Sequence, residues 1–136
     1  MQPWPSMLPV TEHIWCENIR KRHSSLLGKL AQLECPSGWE TMIDQLCLDI
    51  IKHEVFFSEN PDYTPVNFVQ IKEKFGGLRA YYEGGKIKNE YIEMIRIIVR
   101  KYEDISTEVC SFCGSTPAKL TVKNRWIHPV CSECEK

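Results

Sequence analysis

Two C-x-x-C pairs stand near the C-terminus of the sequence: Cys110-Ser111-Phe112-Cys113 and Cys131-Ser132-Glu133-Cys134. Seventeen residues separate the pairs, a spacing typical of four-cysteine zinc sites. Two thiolates three positions apart bind one side of a metal ion, and a second pair completes the tetrahedron. The pattern predicts a structural Zn²⁺ held by all four cysteines. Such a site leaves no coordination position for a substrate.

The segment between the pairs has the layout of a zinc ribbon. Gly114 follows the second thiol, where the chain must turn sharply. Residues 119–123 alternate like a strand, and residues 126–128 are expected to form a second strand. His128 lies near the site and can replace a cysteine, although a position beside the ligands or on the surface is favoured. The alternative for the cysteines is a redox dithiol pair or unligated thiols.

Residues 1–107 are predicted to form an α+β body that packs with the ribbon, residues 108–136, as one unit. A first helix is expected from Thr11 to about Leu33, with a break or bend near His23. Ser37 and Glu40 match a capping box for a second helix, whose apolar stripe continues to residue 51. A third helix is expected from residue 89 to about residue 105.

The middle of the body reads as a β-hairpin. Residues 66–74 and 78–83 have strand character, and Gly76-Gly77 offers a tight turn between them. Alternation places Phe68 and Gln70 on one side of the first strand and Ile71 on the other. A two-stranded sheet is marginal alone, so the fold class is helices packed on a β-hairpin, with a C-terminal four-cysteine zinc ribbon.

Composition places the chain among globular proteins. It has 136 residues, 43% of them hydrophobic, and a formal net charge of −1, so it has no overall attraction to nucleic acid. Residues 34–65 contain seven acidic residues and one lysine. This negative segment is interpreted either as a solvated face or as a surface for a basic partner.

The sequence shows no export signal and no membrane span, which predicts a cytoplasmic protein with reduced thiols. Seven cysteines fit that compartment. Cys47 is expected in the core. Cys16 and Cys35 are interpreted as free thiols in preference to ligands of a second metal site.

Two segments combine basic and aromatic side chains and are the candidate binding surfaces. In the hairpin these residues are Lys72, Lys74, Arg79 and Tyr81, and in the ribbon they are Lys119, Lys123, Arg125 and Trp126. Such a surface suits an anionic chain or an acidic protein face. The alternatives are an ordinary half-buried hairpin with lysines on its wet side, and a ribbon docked on the body with Trp126 as a packing residue.

Catalytic motifs are missing from the sequence. There is no Gly-rich phosphate loop, no H-E-x-x-H and no nucleophile elbow, so no catalytic residue is assigned. Asp62 followed by Gln70 and Lys72 is similar to a metal-dependent nuclease core, but glutamine replaces the expected second carboxylate. A nuclease is therefore only a distant alternative.

The hairpin motif and the cysteines together carry a resemblance. The run Lys74-Phe75-Gly76-Gly77-Leu78-Arg79 before a Tyr81-Tyr82 pair, the Cys35-Pro36-Ser37-Gly38-Trp39 segment and the two C-x-x-C pairs look like a group of small bacterial and phage proteins. The match covers roughly residues 35–136. Between the pairs, Ser115-Thr116-Pro117 and Arg125-Trp126 replace glycines that this group leads one to expect.

The resemblance implies a bacterial or phage origin and an intracellular setting, which is the host cytoplasm for a phage protein. It carries no settled activity. The expected function is therefore a non-enzymatic zinc-containing protein that binds a protein partner, with a phage inhibitor of a host defence system as one form of it. A nucleic-acid-binding zinc ribbon is the alternative. The sequence does not decide the oligomeric state.

Overall fold

The computed structural model describes residues 14–28, 31–59, 66–84, 89–123 and 125–136. In chain order the elements are helix α1 (Ile14–Arg22), strand β1 (Gln32–Glu34), a 3₁₀ turn (Ser37–Trp39), helix α2 (Glu40–Glu54), strands β2 (Val66–Lys74) and β3 (Gly77–Gly84), helix α3 (Asn89–Ser106), strands β4 (Lys119–Lys123) and β5 (Trp126–Val130), and helix α4 (Ser132–Glu135). This confirms the α+β class, with the four cysteines gathered at the C-terminal end.

The body sheet has three strands, in the order β1-β2-β3. β2 and β3 are antiparallel, and β1 adds to β2 in parallel, with Leu33 opposite Ile71. The prediction that Leu33 ends a helix is therefore wrong. Leu33 is buried between exposed Gln32 and Glu34, which is the alternation of a strand. The leucines before Leu33 precede it at helical spacing, but this spacing does not reflect a helix that includes Leu33.

Helix α1 ends at Arg22, immediately before the expected break at His23, while the predicted cap Thr11 lies outside the described residues. His23 is buried, with its Nε2 2.7 Å from Oδ1 of Asp44 on α2. Arg22 Nη1 lies 3.0 Å from the same oxygen. These polar contacts join the end of α1 to α2.

A β-bulge between Phe68 and Gln70 changes which side chains of β2 face the core. The extra residue, Val69, shifts the alternation, so Phe68 and Ile71 are both buried. The prediction that they point to opposite sides is wrong, because strict alternation assumes an uninterrupted ladder.

The hairpin turn also differs from its prediction. Lys74 pairs with Gly77, so the two-residue loop is Phe75-Gly76 and not Gly76-Gly77. Both loop residues have positive φ, 54° and 85°, as a type I′ turn requires. Gly76 meets that requirement without strain, whereas Gly77 is an ordinary strand residue.

Helix α2 begins at Glu40, after the 3₁₀ turn, and no side-chain cap bond forms at its N-cap residue, Trp39. The predicted capping box is therefore not the start of this helix. Trp39 is fully buried, and its Nε1 donates to the carbonyl of Val109 at 3.0 Å. A tertiary contact therefore restrains this turn.

Helix α3 agrees with its prediction and packs on β3. Its last turn supplies acceptors to that edge strand. The Leu78 N–H donates to Ser106 Oγ at 2.8 Å, and the Ala80 N–H donates to Glu103 Oε2 at 3.2 Å. The helix thus blocks part of an edge that would otherwise be open to pairing.

The core lies between α2, α3 and the inner face of the sheet. Its largest fully buried side chains include Trp39, Tyr91, Ile43, Leu46, Ile50, Ile71, Leu78 and Ile95. Cys47 belongs to the same core, as predicted.

No helix in the described part of the chain has the length and apolar character needed to cross a membrane.

Candidate metal centre and neighbouring surfaces

Four cysteine sulfurs converge in the C-terminal segment. The Sγ atoms of Cys110, Cys113, Cys131 and Cys134 all lie within 4.8 Å of one another, and the Cys113–Cys131 separation is 3.6 Å. Zinc–sulfur bonds of about 2.3 Å in a tetrahedron place the sulfurs about 3.8 Å apart, so the arrangement fits a single metal ion. None of the seven cysteines forms a disulfide.

Backbone hydrogen bonds shape the first cysteine pair into a tight turn. The Gly114 N–H donates to the Cys110 carbonyl at 2.9 Å, and the Cys110 N–H donates to the Ser115 carbonyl at 2.9 Å. Gly114 has φ +82°, which a residue with a Cβ adopts only with strain. The Ser111 N–H donates to the Pro129 carbonyl at 2.8 Å, which ties the turn to β5, the strand that leads to the second pair.

Cys113, at the exposed edge of the cluster, has a lowered pKa. Hydrogen bonds with Ser115, first with its hydroxyl and then with its backbone, lower the pKa of Cys113 to about 6. Hydrogen bonds with Cys131 and Cys113 raise the pKa of Cys134. Metal binding requires ionised thiols, and the lowered pKa of Cys113 favours its thiolate form.

The first cysteine turn rests directly on the body. The Gly38 N–H donates to the Ser111 carbonyl at 3.1 Å. A Cβ on Gly38 would lie 2.3 Å from the Cys110 carbonyl oxygen, and one on Gly114 would lie 2.7 Å from the Gly38 carbonyl oxygen. Sequence reasoning did not assign Gly38 a part in the metal centre. The signal was present, because Gly38 belongs to the Cys35–Trp39 segment that shares the resemblance.

His128 is not one of the converging ligands. It is buried on β5, with its ring edge-to-face against Phe112 at a centroid distance of 5.5 Å. It therefore packs beside the metal centre, as the favoured prediction stated.

Cys16 and Cys35 are buried in the body. The Cys35 thiol donates to the Ile71 carbonyl at 3.3 Å, and burial raises its pKa. Among the described residues, the only group of three or more metal-ligating side chains is the C-terminal one.

The predicted hairpin residues lie together on the outer face of the sheet. Lys72 pairs across the strands with Arg79, and Gln70 pairs with Tyr81, while the intervening pair, Ile71 and Ala80, is buried. Lys72 Nζ lies 5.8 Å from the centre of the Tyr81 ring. We refer to Gln70, Lys72, Lys74, Arg79 and Tyr81 as the hairpin face.

The two faces of the β4–β5 pair carry different kinds of side chain. Lys119 and Trp126 share one face and are exposed, while Lys123 pairs with Trp126 in the register and its side chain lies outside the described part. The other face carries Leu120, Val122 and Ile127, which are 50%, 69% and 37% exposed. We call these three residues the ribbon patch. Sequence reasoning missed it, because aliphatic residues in a strand normally indicate burial.

The hairpin turn and the ribbon turn meet. Leu120 and Ile127 lie against Gly76, since a Cβ there would be 2.4 Å from Leu120 Cδ2 and 3.3 Å from Ile127 Cγ2. Beside this contact is a cavity of about 400 Å³ lined by Glu73, Lys74, Phe75, Arg125, Trp126 and Ile127, which we call the junction groove. The two surfaces that the sequence presented separately are therefore neighbours through Lys74, Arg125 and Trp126.

The residues behind the nuclease alternative are not brought into one described site. Asp62 lies outside the described residues, and Gln70 and Lys72 belong to the hairpin face.

Comparison with known proteins finds no matching protein family, no matching curated protein and no matching solved structure.

Proposed function

We propose that this chain is a non-enzymatic, zinc-containing binding protein that acts through a protein partner. The observation that supports it is the ribbon patch beside the junction groove. Val122 is 69% exposed and pairs with Ile127, which lies against Gly76. Phe75, which precedes Gly76 in the turn, is 73% exposed. Exposed apolar and aromatic side chains in one area are typical of protein interaction sites.

The metal in this proposal is Zn²⁺ with a structural role. Four thiolates in a tetrahedron favour zinc or iron, and zinc needs no redox partner. With four sulfur ligands no position is open for water or substrate, which favours a brace over a catalytic centre. In this structural role, the metal holds the ribbon turn beside the hairpin turn. Metal binding therefore affects partner binding through the shape of the junction groove.

The proposed partner belongs to a bacterial cell. The resemblance of the hairpin and the cysteine pairs to small bacterial and phage proteins supports this choice and a cytoplasmic site of action. Inhibition of a host defence complex is the form that we propose for a phage-encoded copy.

Affinity capture from bacterial lysates tests the proposal. The double variant Leu120→Ser, Val122→Ser should lose a partner that wild type retains. The control Ile97→Ser changes a 61% exposed residue on α3 and should keep that partner. Quantitative mass spectrometry of the captured proteins gives the measurement. Recovery of nothing specific from several hosts, or equal recovery by all variants, would overturn the proposal.

Nucleic-acid binding is the second candidate, and the hairpin face favours it. Lys72 and Arg79 are directly opposite each other, an arrangement of like charges that costs stability and that a bound anion would relieve. Glu34 stands beside Lys72 in the β1–β2 register and weakens the local positive potential. For this reason we rank nucleic acid second. Salt-sensitive retention on DNA or RNA columns tests it, and no retention at low salt would exclude it.

A further inference from the structure

Two backbone outliers line the junction groove. Among the described residues, Phe75 and Arg125 are the non-glycine positions with positive φ, at 54° and 69°. This conformation costs a residue with a Cβ about 1–2 kcal/mol, and asparagine or glycine tolerates it best. Both positions line the same cavity. Folding alone would be served better by asparagine at either one.

Burial does not compensate Phe75 for this strain. Its side chain is 73% exposed, and Trp126 on the other side of the groove is 47% exposed. Strain at residues that packing does not require is typical of functional sites. Aromatic residues and arginine are also the types that contribute most to binding energy at interfaces.

The charges of the groove are mainly positive. Lys74 Nζ lies 6.0 Å from the Phe75 ring centre, and the Arg125 side chain is exposed at the opposite turn. The carboxylate of Glu73 accepts the Gly76 N–H at 2.5 Å, so part of its hydrogen-bonding capacity is used within the turn. Two cations, Lys74 and Arg125, therefore flank a groove with aromatic walls. Its acidic lining residue, Glu73, already accepts a hydrogen bond within the turn.

From this combination we infer that the junction groove binds an acidic peptide segment of the partner, with one large apolar side chain between Phe75 and Trp126 and carboxylates at Lys74 and Arg125. The inference rests on the proposed function and specifies its partner. A cavity of about 400 Å³ has room for one aromatic or leucine side chain.

The surroundings favour a peptide over a nucleic acid. Ile127 lines the groove, and the rest of the ribbon patch continues from it as aliphatic surface. Aliphatic side chains pack against peptide side chains, whereas bases bind mainly by stacking on aromatic rings.

Selection from a random peptide display library tests the inference. Wild type should enrich sequences in which Asp or Glu flank Trp, Phe or Leu. A synthetic peptide of the enriched sequence should bind Phe75→Asn and Arg125→Asn at least tenfold more weakly. Because asparagine suits positive φ, both variants should melt at or above the wild-type temperature. The control Phe56→Asn changes an 80% exposed aromatic at the end of α2 and should bind normally.

Enrichment of basic or charge-free sequences, no enrichment, or unchanged binding by Phe75→Asn would overturn the inference. Displacement of the selected peptide by a dT oligonucleotide, with tighter binding of that oligonucleotide, would replace it with a nucleic-acid site. One result would overturn the groove inference but not the proposed function. It is a lysate partner that still binds Phe75→Asn and no longer binds the Leu120→Ser, Val122→Ser variant. Failure of the proposed function has a different signature, because then either no variant captures a specific protein or all variants, including Leu120→Ser, Val122→Ser, capture it equally.

Discussion

Gly38 and Ser111 lie in direct backbone contact, with the Gly38 N–H donating to the Ser111 carbonyl at 3.1 Å. This contact joins the turn before α2 to the first cysteine pair, 73 positions later in the chain. The neighbours of a Cβ at Gly38 are all backbone atoms of Cys110 and Ser111, so no side-chain movement can make room. The ribbon is therefore seated on the body through a glycine.

Gly38→Ala should destabilise the protein by about 2–3 kcal/mol through this overpacking. It should also weaken metal binding, because the first cysteine turn must move. Gly28→Ala is the matched control: a Cβ there has no neighbour within 4 Å, so stability should be unchanged or raised by up to about 1 kcal/mol. Thermal melts and a zinc competition titration measure the two effects. Equal melting temperatures for the two variants would contradict the seating contact.

Metal analysis of the purified protein should give about one zinc per chain, without the colour of an iron–thiolate centre. Cobalt substitution should produce the thiolate charge-transfer absorption of a tetrahedral sulfur site. Cys113→Ser should reduce the metal content or affinity and lower the melting temperature, because the site stabilises the fold around it. Cys47→Ala, in the body core, should lose stability but keep the metal. Normal metal affinity in Cys113→Ser would contradict the assigned ligand set.

Thiol reactivity should divide the seven cysteines into two groups. Chelation should expose the four C-terminal thiols to alkylation, while Cys16, Cys35 and Cys47 stay protected until unfolding. Burial raises the pKa of Cys47 to about 12, so its reactive thiolate is scarce at neutral pH. Mass spectrometry after iodoacetamide labelling counts the modified sites. Early labelling of a body cysteine in the chelated, folded protein would contradict this division.

Gly76→Ala should cost about 1–2 kcal/mol, because its φ of +85° strains any residue with a Cβ. The new Cβ would also displace Leu120 Cδ2 and loosen the contact between the hairpin and the ribbon. Gly77→Ala is the control in the next position, where the nearest atom is the mobile end of Arg79 at 3.3 Å. That variant should change stability by less than about 1 kcal/mol. Denaturant melts of both variants test the comparison, and a larger loss in Gly77→Ala would contradict it.

The Glu73 carboxyl should make stability depend on pH. Burial raises its pKa, and the Gly76 N–H offsets this only in part. The folded state then holds the proton more tightly than the unfolded state, so this group lowers stability as pH rises from the unfolded pKa through the folded one. Glu73→Gln keeps an acceptor for Gly76 and lacks this slope. It should be more stable than wild type at pH 7 and should show no such gain in acid. Melts at several pH values test this, and a gain that persists in acid would point to another cause.

Trp39→Phe should cost about 1–3 kcal/mol, because the buried Val109 carbonyl loses its indole donor. Val109 immediately precedes Cys110, so the change should also reach the metal centre. Chemical denaturation gives the free energy, and cobalt absorption reports the site. Wild-type stability would mean that water or another donor satisfies the carbonyl.

Local patterns predicted the parts of this protein that neighbouring residues determine. The cysteine spacing alone identified the four thiols that converge, because a tetrahedral ion requires that arrangement of thiols. The amphipathic period identified α3, and alternation identified β4 and the start of β5. These elements depend on contacts within a few residues, which a sequence displays directly.

Tertiary contacts decided the rest. Leu33 is a strand residue because β2 offers it a parallel partner at Ile71, far along the chain. The bulge at Val69 is set by the need to bury both Phe68 and Ile71 against the helices. The junction groove exists because the ribbon turn packs against Gly76, and no local pattern records which turn meets which. The sequence by itself determined which four cysteines form the cluster, and only the tertiary structure decided which part of the body the cluster lies against.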